Sequence, residues 1–562
     1  MTDDFKISLF PRDYILRIFN ILRYLISLIY FPLYAKTLDT VLIWWCFSFG
    51  GVMNRILILD FGSQYNQLIA RRIREMHVYC ELHPYDVSVE FIKEFNPSGI
   101  IFSGGPNTVS DEGAPDVDSQ IFELGIPILG ICYGMQLMAV KLNGKLESGE
   151  SREYGRAVIK NLAPESSLFL KISETTQVWM SHSDHVSKMP EGFYKIAETD
   201  SIHYAAMGND EKNFYAVQFH PEVVHSLEGG RMLSNFLFEV CKVKADWRME
   251  NYIETSLVDL KKKIGDKKVV LGLSGGVDSS VVAALLARAI GKSLTAIFVD
   301  NGLLRKNERE EVENNFKDMV NLIVVDARDE FLGKLAGVED PEKKRKIIGN
   351  TFIDVFEREA EKIENADFLA QGTIYPDVIE SSSNKKGASK TIKSHHNVGG
   401  LPQDMKLKLV EPLRDLFKDE VRELGLKLGL PEKLIKRHPF PGPGLAVRIL
   451  GEVTDARCEV LKDADHIFIE EIRNAGLYDD ISQAFVVLLP VKTVGVMGDC
   501  RTYESVVSLR AVKTDDFMTA DWYEFEAAFL KKVSSRIINE VKRVNRVVYD
   551  ISSKPPATIE WE

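Results

Sequence analysis

The sequence predicts an α/β protein, with two parallel-sheet domains in succession and a smaller α+β domain after them. Three observations predict it. From Met53 to about residue 245, short apolar runs alternate with amphipathic stretches, the pattern of strands covered on both faces by crossover helices. The alternation restarts near Lys267 and continues to "RHPFPGPGLAVR", where three prolines and two glycines break regular structure. At 562 residues the chain is long enough for several separate cores.

The elements follow in order. In the first domain "RILILDFG" reads as a strand, "QLIARRIREM" as a helix, and "PSGIIFSGGP" as a strand ending in a glycine turn. "IPILGI" is another strand, and "GMQLMAVKLNG" is a helix stopped by Gly144. "RAVIKNL", "TQVWMSH", "YKIAET" and "FYAVQFHPE" add strands before "GGRMLSNFLFEVC" closes the unit as a helix. In the second domain "KKVVLGLSGGVDSSVVAALLARAIG" is strand, loop and helix. "LTAIFVDNG", "NLIVVDAR" and "ADFLAQGTI" are its other strands, and "EKKRKIIGNTFIDVFEREAEKI" is a long helix. The last segment carries strands in "AFVVLLP" and "SVVSLRAV" and a helix in "FEAAFLKKVSSRIINEVKRV". The division is therefore an apolar extension 1–52 and domains 53–245, 246–438 and 439–562.

Composition narrows the function classes. A net charge of −12 argues against general nucleic-acid or anionic-membrane binding, while leaving room for a local basic pocket. The six cysteines (46, 80, 132, 241, 458, 500) form no C-x-x-C pair, which fits a reducing cytoplasm rather than a disulfide framework or a zinc site. Residues 1–52 are unusual. "YILRIFNILRYLISLIYFPLY" is apolar but interrupted by Arg17 and Arg23, and no small-residue cleavage site follows it. Met53 opens "MNRILILDFGSQY" as a natural start would, so the expectation is a mis-assigned upstream start, with a membrane anchor as the alternative.

An isolated cysteine is most often a packed core residue. Cys132 has unusual company. Gly130-Ile131-Cys132-Tyr133-Gly134 is the thiol counterpart of the G-x-S-x-G elbow, placed between a strand and a helix. Such a turn lifts the side chain above the sheet, and the helix N-terminus favours an anion there. In "FYAVQFHPE", His220 offers a proton carrier and Glu222, two residues on, a carboxylate to hold its tautomer. The glycine turn in "FSGGP" places the N–H of Gly105 to join that of Tyr133 as an oxyanion hole.

Together these motifs resemble the class I, triad-type glutamine amidotransferases over residues 53 to about 245. The resemblance implies Cys132 as nucleophile on the glutamine side-chain amide, His220 as general base and acid, and Glu222 as the orienting carboxylate. "GMQ" and "SHSDHV" resemble that family's glutamine-pocket segments and add Gln136, His182 and Asp184. A zinc reading of His182, Asp184 and His185 lacks a matched ligand pair elsewhere.

"LGLSGGVDSS" lies between a buried strand and an apolar helix, where backbone N–H groups bind phosphate. It lacks the lysine of a Walker A loop. It is similar to the SGGxDS loop of the ATP pyrophosphatases, which implies that Ser274, Gly275, Gly276, Val277, Asp278, Ser279 and Ser280 cradle the phosphates of ATP. Asp278 is the residue to hold Mg²⁺, a hard ion that prefers carboxylate and phosphate oxygens. Asp300 ends the next strand, near where nucleotide folds read the ribose. Asparagine, NAD and argininosuccinate synthetases and tRNA thiolases share this loop, so it leaves the acceptor open.

"EKKRKIIGNTF", "LAQGTIYPDVIES", "RHPFPGPGLAVR", "TVGVMGDCRTY" and "KPPATIEWE" together resemble the glutamine-hydrolysing GMP synthases across residues 53–562. That resemblance implies XMP, ATP and glutamine as substrates, a cytoplasmic homodimer, and a C-terminal domain serving both dimerisation and XMP binding. It assigns Arg345, Lys554 and Glu560 to XMP. Met497 departs from the glutamine that some members carry there. The rival classes are an amidotransferase or pyrophosphatase with another acceptor, and an inactive membrane-tethered binding protein.

Overall fold

The computed structural model describes residues 54–383, 407–497, 500–514, 517 and 519–562. The extension 1–52 and Met53 lie outside the described residues. The first sheet has nine strands: β1 Arg55–Asp60, β2 Tyr79–Pro84, β3 Gly99–Phe102, β4 Ile128–Ile131, β5 Lys145–Asn161, β6 Thr175–Lys188, β7 Tyr194–Glu198, β8 Ala206–Asn209 and β9 Phe214–Val217. Their order is β2-β1-β3-β4-β9-β8-β7-β5-β6.

This sheet is mixed, which refines the expectation of a parallel one. Strands β2, β1, β3, β4 and β9 run parallel, and β8, β7, β5 and β6 continue the sheet antiparallel. The reason is connection length. Only Asp210–Asn213 joins β8 to β9, and a parallel crossover needs a dozen residues or more. The parallel strands are the apolar ones, and Ile56–Leu59, Ile100–Phe102 and Ile128–Ile131 are buried. Beyond β4 the helix Tyr133–Lys141 begins at once. At its far end Asn143 (φ 66°) takes the left-handed conformation. Gly144 accepts the close approach, because a Cβ there would sit 2.7 Å from the Lys188 carbonyl.

The second sheet is parallel throughout, in the order β12-β11-β10-β13-β14. Its strands are β10 Lys268–Gly272, β11 Leu294–Asp300, β12 Asn321–Asp326, β13 Ala366–Ala370 and β14 Lys408–Val410. The helix Val277–Ile290 follows β10 and is buried on almost every side, between the helices Met249–Ile264 and Lys418–Lys427. The third sheet joins β15 Gln483–Met497, β16 Cys500–Lys513 and β17 Asp521–Trp522 antiparallel, with β18 Val544–Tyr549 parallel to β16. Helices Asp455–Asn474 and Ala527–Glu540 cover it. One apolar cluster runs from Val270 and Ile297 through Leu445 and Phe468 to Val486 and Leu509, so the second and third domains share a core.

The first domain meets the second around a buried guanidinium, beside Tyr375, Ile379 and Phe417, which pack into the first domain's apolar core. Arg74, from the helix Asn66–Glu75, donates to both carboxylate oxygens of Glu420 at 3.2 and 3.3 Å and to the Cys80 carbonyl at 2.8 Å. The rings of Tyr79 and Trp247 flank it at 4.4 and 4.5 Å. Trp247 Nε1 also donates to Glu420 at 2.5 Å, and the Tyr375 hydroxyl accepts from Leu82 N at 2.5 Å. Among the described residues no helix is long and apolar enough to cross a membrane.

Removing Glu420 leaves a buried, unpaired charge. Glu420→Ala should cost about 3–5 kcal/mol at this interface, read as a lower urea midpoint followed by Trp247 fluorescence. A loss under about 1 kcal/mol, the range of an exposed pair, would show that the pair does not hold the interface.

Candidate active sites

Cys132 follows β4 directly and is the residue before the helix Tyr133–Lys141. Its backbone is left-handed (φ 52°, ψ −105°), the strained conformation of an elbow. The two flanking glycines are needed for space: a Cβ on Gly130 would lie 2.7 Å from the Gly134 carbonyl oxygen, and one on Gly134 2.6 Å from Phe102 Cβ. Cys132 N donates to the Val217 carbonyl at 2.8 Å, which ties the elbow to β9. The sulfur lies 3.6 Å from the Ser181 carbonyl oxygen and 3.8 Å from Gln218 Nε2.

His220 and Glu222 lie beyond the end of β9, in a turn rather than on an extended strand. The turn still pairs them: His220 Nδ1 is 2.8 Å from Glu222 Oε1, and Glu222 is fully buried. His220 N donates to the Trp179 carbonyl, and the Tyr65 ring meets the imidazole edge-on at 5.1 Å. Burial opposes the charge on His220, but the Glu222 carboxylate and the hydrogen bond and charge of Cys132 outweigh it and push the imidazole up to about 10. A proton is therefore held beside the sulfur at neutral pH.

The oxyanion candidates sit nearby. Tyr133 is the first helical residue, whose N–H has no intrahelical acceptor. The Gly105 N–H finds no backbone acceptor among the described residues, and a Cβ on Gly105 would lie 3.3 Å from Tyr133 Cγ. Gln136 donates to the Asp184 main-chain carbonyl at 2.7 Å. His182 and Asp184 are buried on β6, and His182 Nε2 lies 3.3 Å from Glu153 Oε2 without hydrogen-bond geometry. Among the described residues no group of three His, Cys, Asp or Glu is placed to hold a metal ion by itself.

In the second domain Ser274–Ser280 turns from β10 into the helix Val277–Ile290. Gly275 (φ 73°) adopts a conformation that other residues rarely take. The Ser274 and Ser279 hydroxyls are 3.0 Å apart, and Ser279 Oγ donates to the Gly276 carbonyl at 3.2 Å. Asp278 Oδ2 accepts from Lys418 at 2.7 Å, while Asp278 Oδ1 and Ser280 Oγ are buried with no hydrogen-bond partner among the described residues. The loop opens onto a cavity of about 430 Å³, walled also by Phe298, Asn301, Phe352 and the segment His438–Gly444, a size that suits a small ligand. Val299 and Asn301 line it, but Asp300 does not. The Asp300 carboxylate accepts from Gly302 N at 3.0 Å and Arg309 at 3.3 Å, so it is spent on its own loop and a neighbouring helix.

Sequence reasoning missed several residues of this cavity. Lys418 comes from a helix without a motif. Arg437 donates to the Gly275 carbonyl and to Glu308 at 2.6 Å. His438 stacks on Tyr478 at 3.9 Å, and burial lowers it to about 4, leaving it neutral. The prolines and glycines around these two residues gave their only signal.

The three remaining candidates do not all meet. Glu560 accepts from Arg448 at 2.8 and 3.1 Å and from Gln483 at 2.7 Å. Arg345 donates to the Glu562 carbonyl, so it shares the same chain end. Lys554 points elsewhere, to the Phe517 carbonyl at 2.6 Å. The side chain of Met497 lies outside the described ones.

Three families of known proteins match successive parts of the chain. Residues 57–240 match the family described as glutamine amidotransferase class-I, 249–324 the NAD synthase family, and 470–561 the GMP synthase C-terminal domain. The chain is 59% identical to a glutamine-hydrolysing GMP synthase of Brachyspira hyodysenteriae over 91% of this chain and 99% of that one. It is 60% identical to that of Alcanivorax borkumensis over 90% and 99%.

The raised His220 makes a direct prediction. Glu222→Gln removes the largest charge that raises it, while burial still opposes the charge, so the midpoint should fall from about 10. Histidine NMR titration reads this. An unchanged midpoint would mean that Glu222 does not hold the imidazole's proton.

Proposed function

The chain belongs to the glutamine-hydrolysing GMP synthases, and from that membership we propose how its residues divide the reaction. The family activity is the glutamine-dependent amination of XMP to GMP, driven by ATP, in purine nucleotide biosynthesis. The observation that carries the division is the left-handed Cys132 elbow beside a protonated, Glu222-held His220.

At the first centre Cys132 sulfur attacks the side-chain amide carbon of glutamine. The amide oxygen gains charge facing the N–H groups of Gly105 and Tyr133. His220 gives its proton to the departing nitrogen, and ammonia leaves a glutamyl thioester. Water, deprotonated by His220, then releases glutamate. Glu222 keeps the imidazole oriented throughout. Gln136, His182 and Asp184 form the wall for the glutamine side; Asp184 acts partly through its main chain, which fixes Gln136.

At the second centre the turn Ser274–Ser280 holds the β and γ phosphates of ATP. O2 of XMP attacks the α-phosphate, pyrophosphate leaves, and ammonia then displaces AMP to give GMP. Asp278 Oδ1, without a partner among the described residues in a loop rich in hydroxyls, fits Mg²⁺, which is held through few carboxylates together with phosphate oxygens. Bound there, Mg²⁺ supplies charge neutralisation. Lys418 keeps the other Asp278 oxygen in place. Arg345, Lys554 and Glu560 are the XMP residues. The division into 53–245, 246–438 and 439–562, a homodimer and a cytoplasmic location complete the reading, the last supported by free cysteines at 80, 132, 241, 458 and 500.

Asp278→Asn and Ser279→Ala should each slow XMP-dependent exchange of labelled pyrophosphate into ATP by about tenfold or more, as charge-assisted contacts are lost. Normal exchange in both would remove the loop from the phosphate site.

Lys554→Ala should raise the KM for XMP by about tenfold, the low end for a charged hydrogen bond, with the KM for ATP and glutamine little changed. An XMP KM that stays put would remove Lys554 from the acceptor site.

A further inference from the structure

Three fully buried cations hold the last stretch of the chain in sequence. Arg510 donates to the carbonyls of Ser552 and Thr558 at 2.6 and 3.2 Å. Arg448 pairs with Glu560 through two hydrogen bonds. Lys344 has no exposed surface, and it donates to Glu562 Oε2 at 2.6 Å and to the carbonyls of Ile449 and Ala446 at 2.7 and 3.3 Å. A charged ammonium satisfies its three protons in this way, which is what allows a lysine to be buried at all.

The partners of Lys344 are not scattered. It stands next to Arg345 at the start of the helix Pro341–Ala360. Its carbonyl acceptors belong to the turn Gly444–Ile449, which carries Arg448 and whose Gly444 walls the ATP cavity. Its carboxylate partner is two residues from Glu560. The basic run "EKKRK" is therefore no solvated helix face at this position, since Lys343 and Lys346 are exposed while Lys344 points inward.

We infer that Lys344, latched to Glu562, is a positioning residue for the XMP site. It fixes Arg345, Arg448 and Glu560 relative to one another and to the wall of the ATP cavity, without itself touching either nucleotide. The inference rests on the XMP reading of Arg345, Lys554 and Glu560 above.

The test is steady-state kinetics on the full chain, with thermal melting as the check of folding. Glu562→Ala cuts the latch at its more accessible end and should raise the KM for XMP by about tenfold, the scale of a lost charge-assisted hydrogen bond. The KM for ATP and glutaminase turnover should stay within about twofold, and Glu562→Gln, which keeps an acceptor, should recover part of the loss. Lys344→Met should match Glu562→Ala, and the double variant should be no worse than the more affected single one. An unchanged XMP KM in folded Glu562→Ala, an equal rise for ATP, or fully additive effects would overturn the inference. If Lys344→Met does not fold, Glu562→Ala decides alone. Lys554→Ala separates the two failures: an XMP KM that rises there but not in Glu562→Ala removes the latch only, and no rise in either removes the XMP reading itself.

Discussion

The buried pair of Arg74 and Glu420 is the contact on which the two-centre arrangement depends. A guanidinium and a carboxylate taken out of water are costly unless every donor and acceptor is matched. Here Arg74 also finds the Cys80 carbonyl and two aromatic faces, with its Nε alone left without a hydrogen-bond partner among the described residues, and Glu420 also accepts from Trp247 and from Phe417 N. On the Arg74 side the same helix sends Arg72 to the Glu222 carbonyl at 3.2 Å, and Tyr65, just before it, packs against His220. On the Glu420 side its helix begins with Lys418, which reaches Asp278. The Cys132–His220–Glu222 cluster and the Ser274–Ser280 loop are thus each placed by elements that meet at one ion pair.

The two centres use buried charge in opposite ways. Around Cys132 a fully buried carboxylate keeps an imidazole protonated, so charge is stored beside the sulfur. Around the acceptor side, buried Lys344, Arg448 and Arg510 are spent on the protein's own carbonyls and carboxylates, ordering a chain end. The net charge of −12 conceals this interior of cations. His438, neutral through burial, adds no further charge to the cavity wall that Phe440 and Phe352 make partly apolar.

Much of this was legible in the sequence because the chemistry sits on local motifs. The elbow around Cys132 and the loop Ser274–Ser280 each occupy a strand-to-helix junction, where periodicity changes within a few residues. "FYAVQFHPE" reads as one strand through His220 and Glu222, while a turn pairs the two, since β9 ends at Val217. Strands β2, β8, β14, β17 and β18 escaped notice. β2 carries Glu81 and His83, and β14 is only three residues long. Lys418 and Lys344 were illegible for another reason: their partners lie 140 and 218 residues away, a separation that no local pattern records. Asp300 had the right strand end for a ribose contact, but two arginines sit beside its carboxylate.

The central claim is that one thiol serves glutamine while a separate centre serves XMP. The direct measurement is GMP formation by Cys132→Ala, once with glutamine and once with ammonium at rising pH. Without the sulfur no glutamyl thioester forms, so glutamine-supported synthesis should vanish. Ammonia-supported synthesis should persist and climb with pH, because NH₃ rather than NH₄⁺ attacks the adenylate. Were Cys132 only a packed core residue, the change would cost about 1–2 kcal/mol of stability and leave glutamine use largely intact. Glutamine-supported GMP formation surviving in Cys132→Ala would contradict the account.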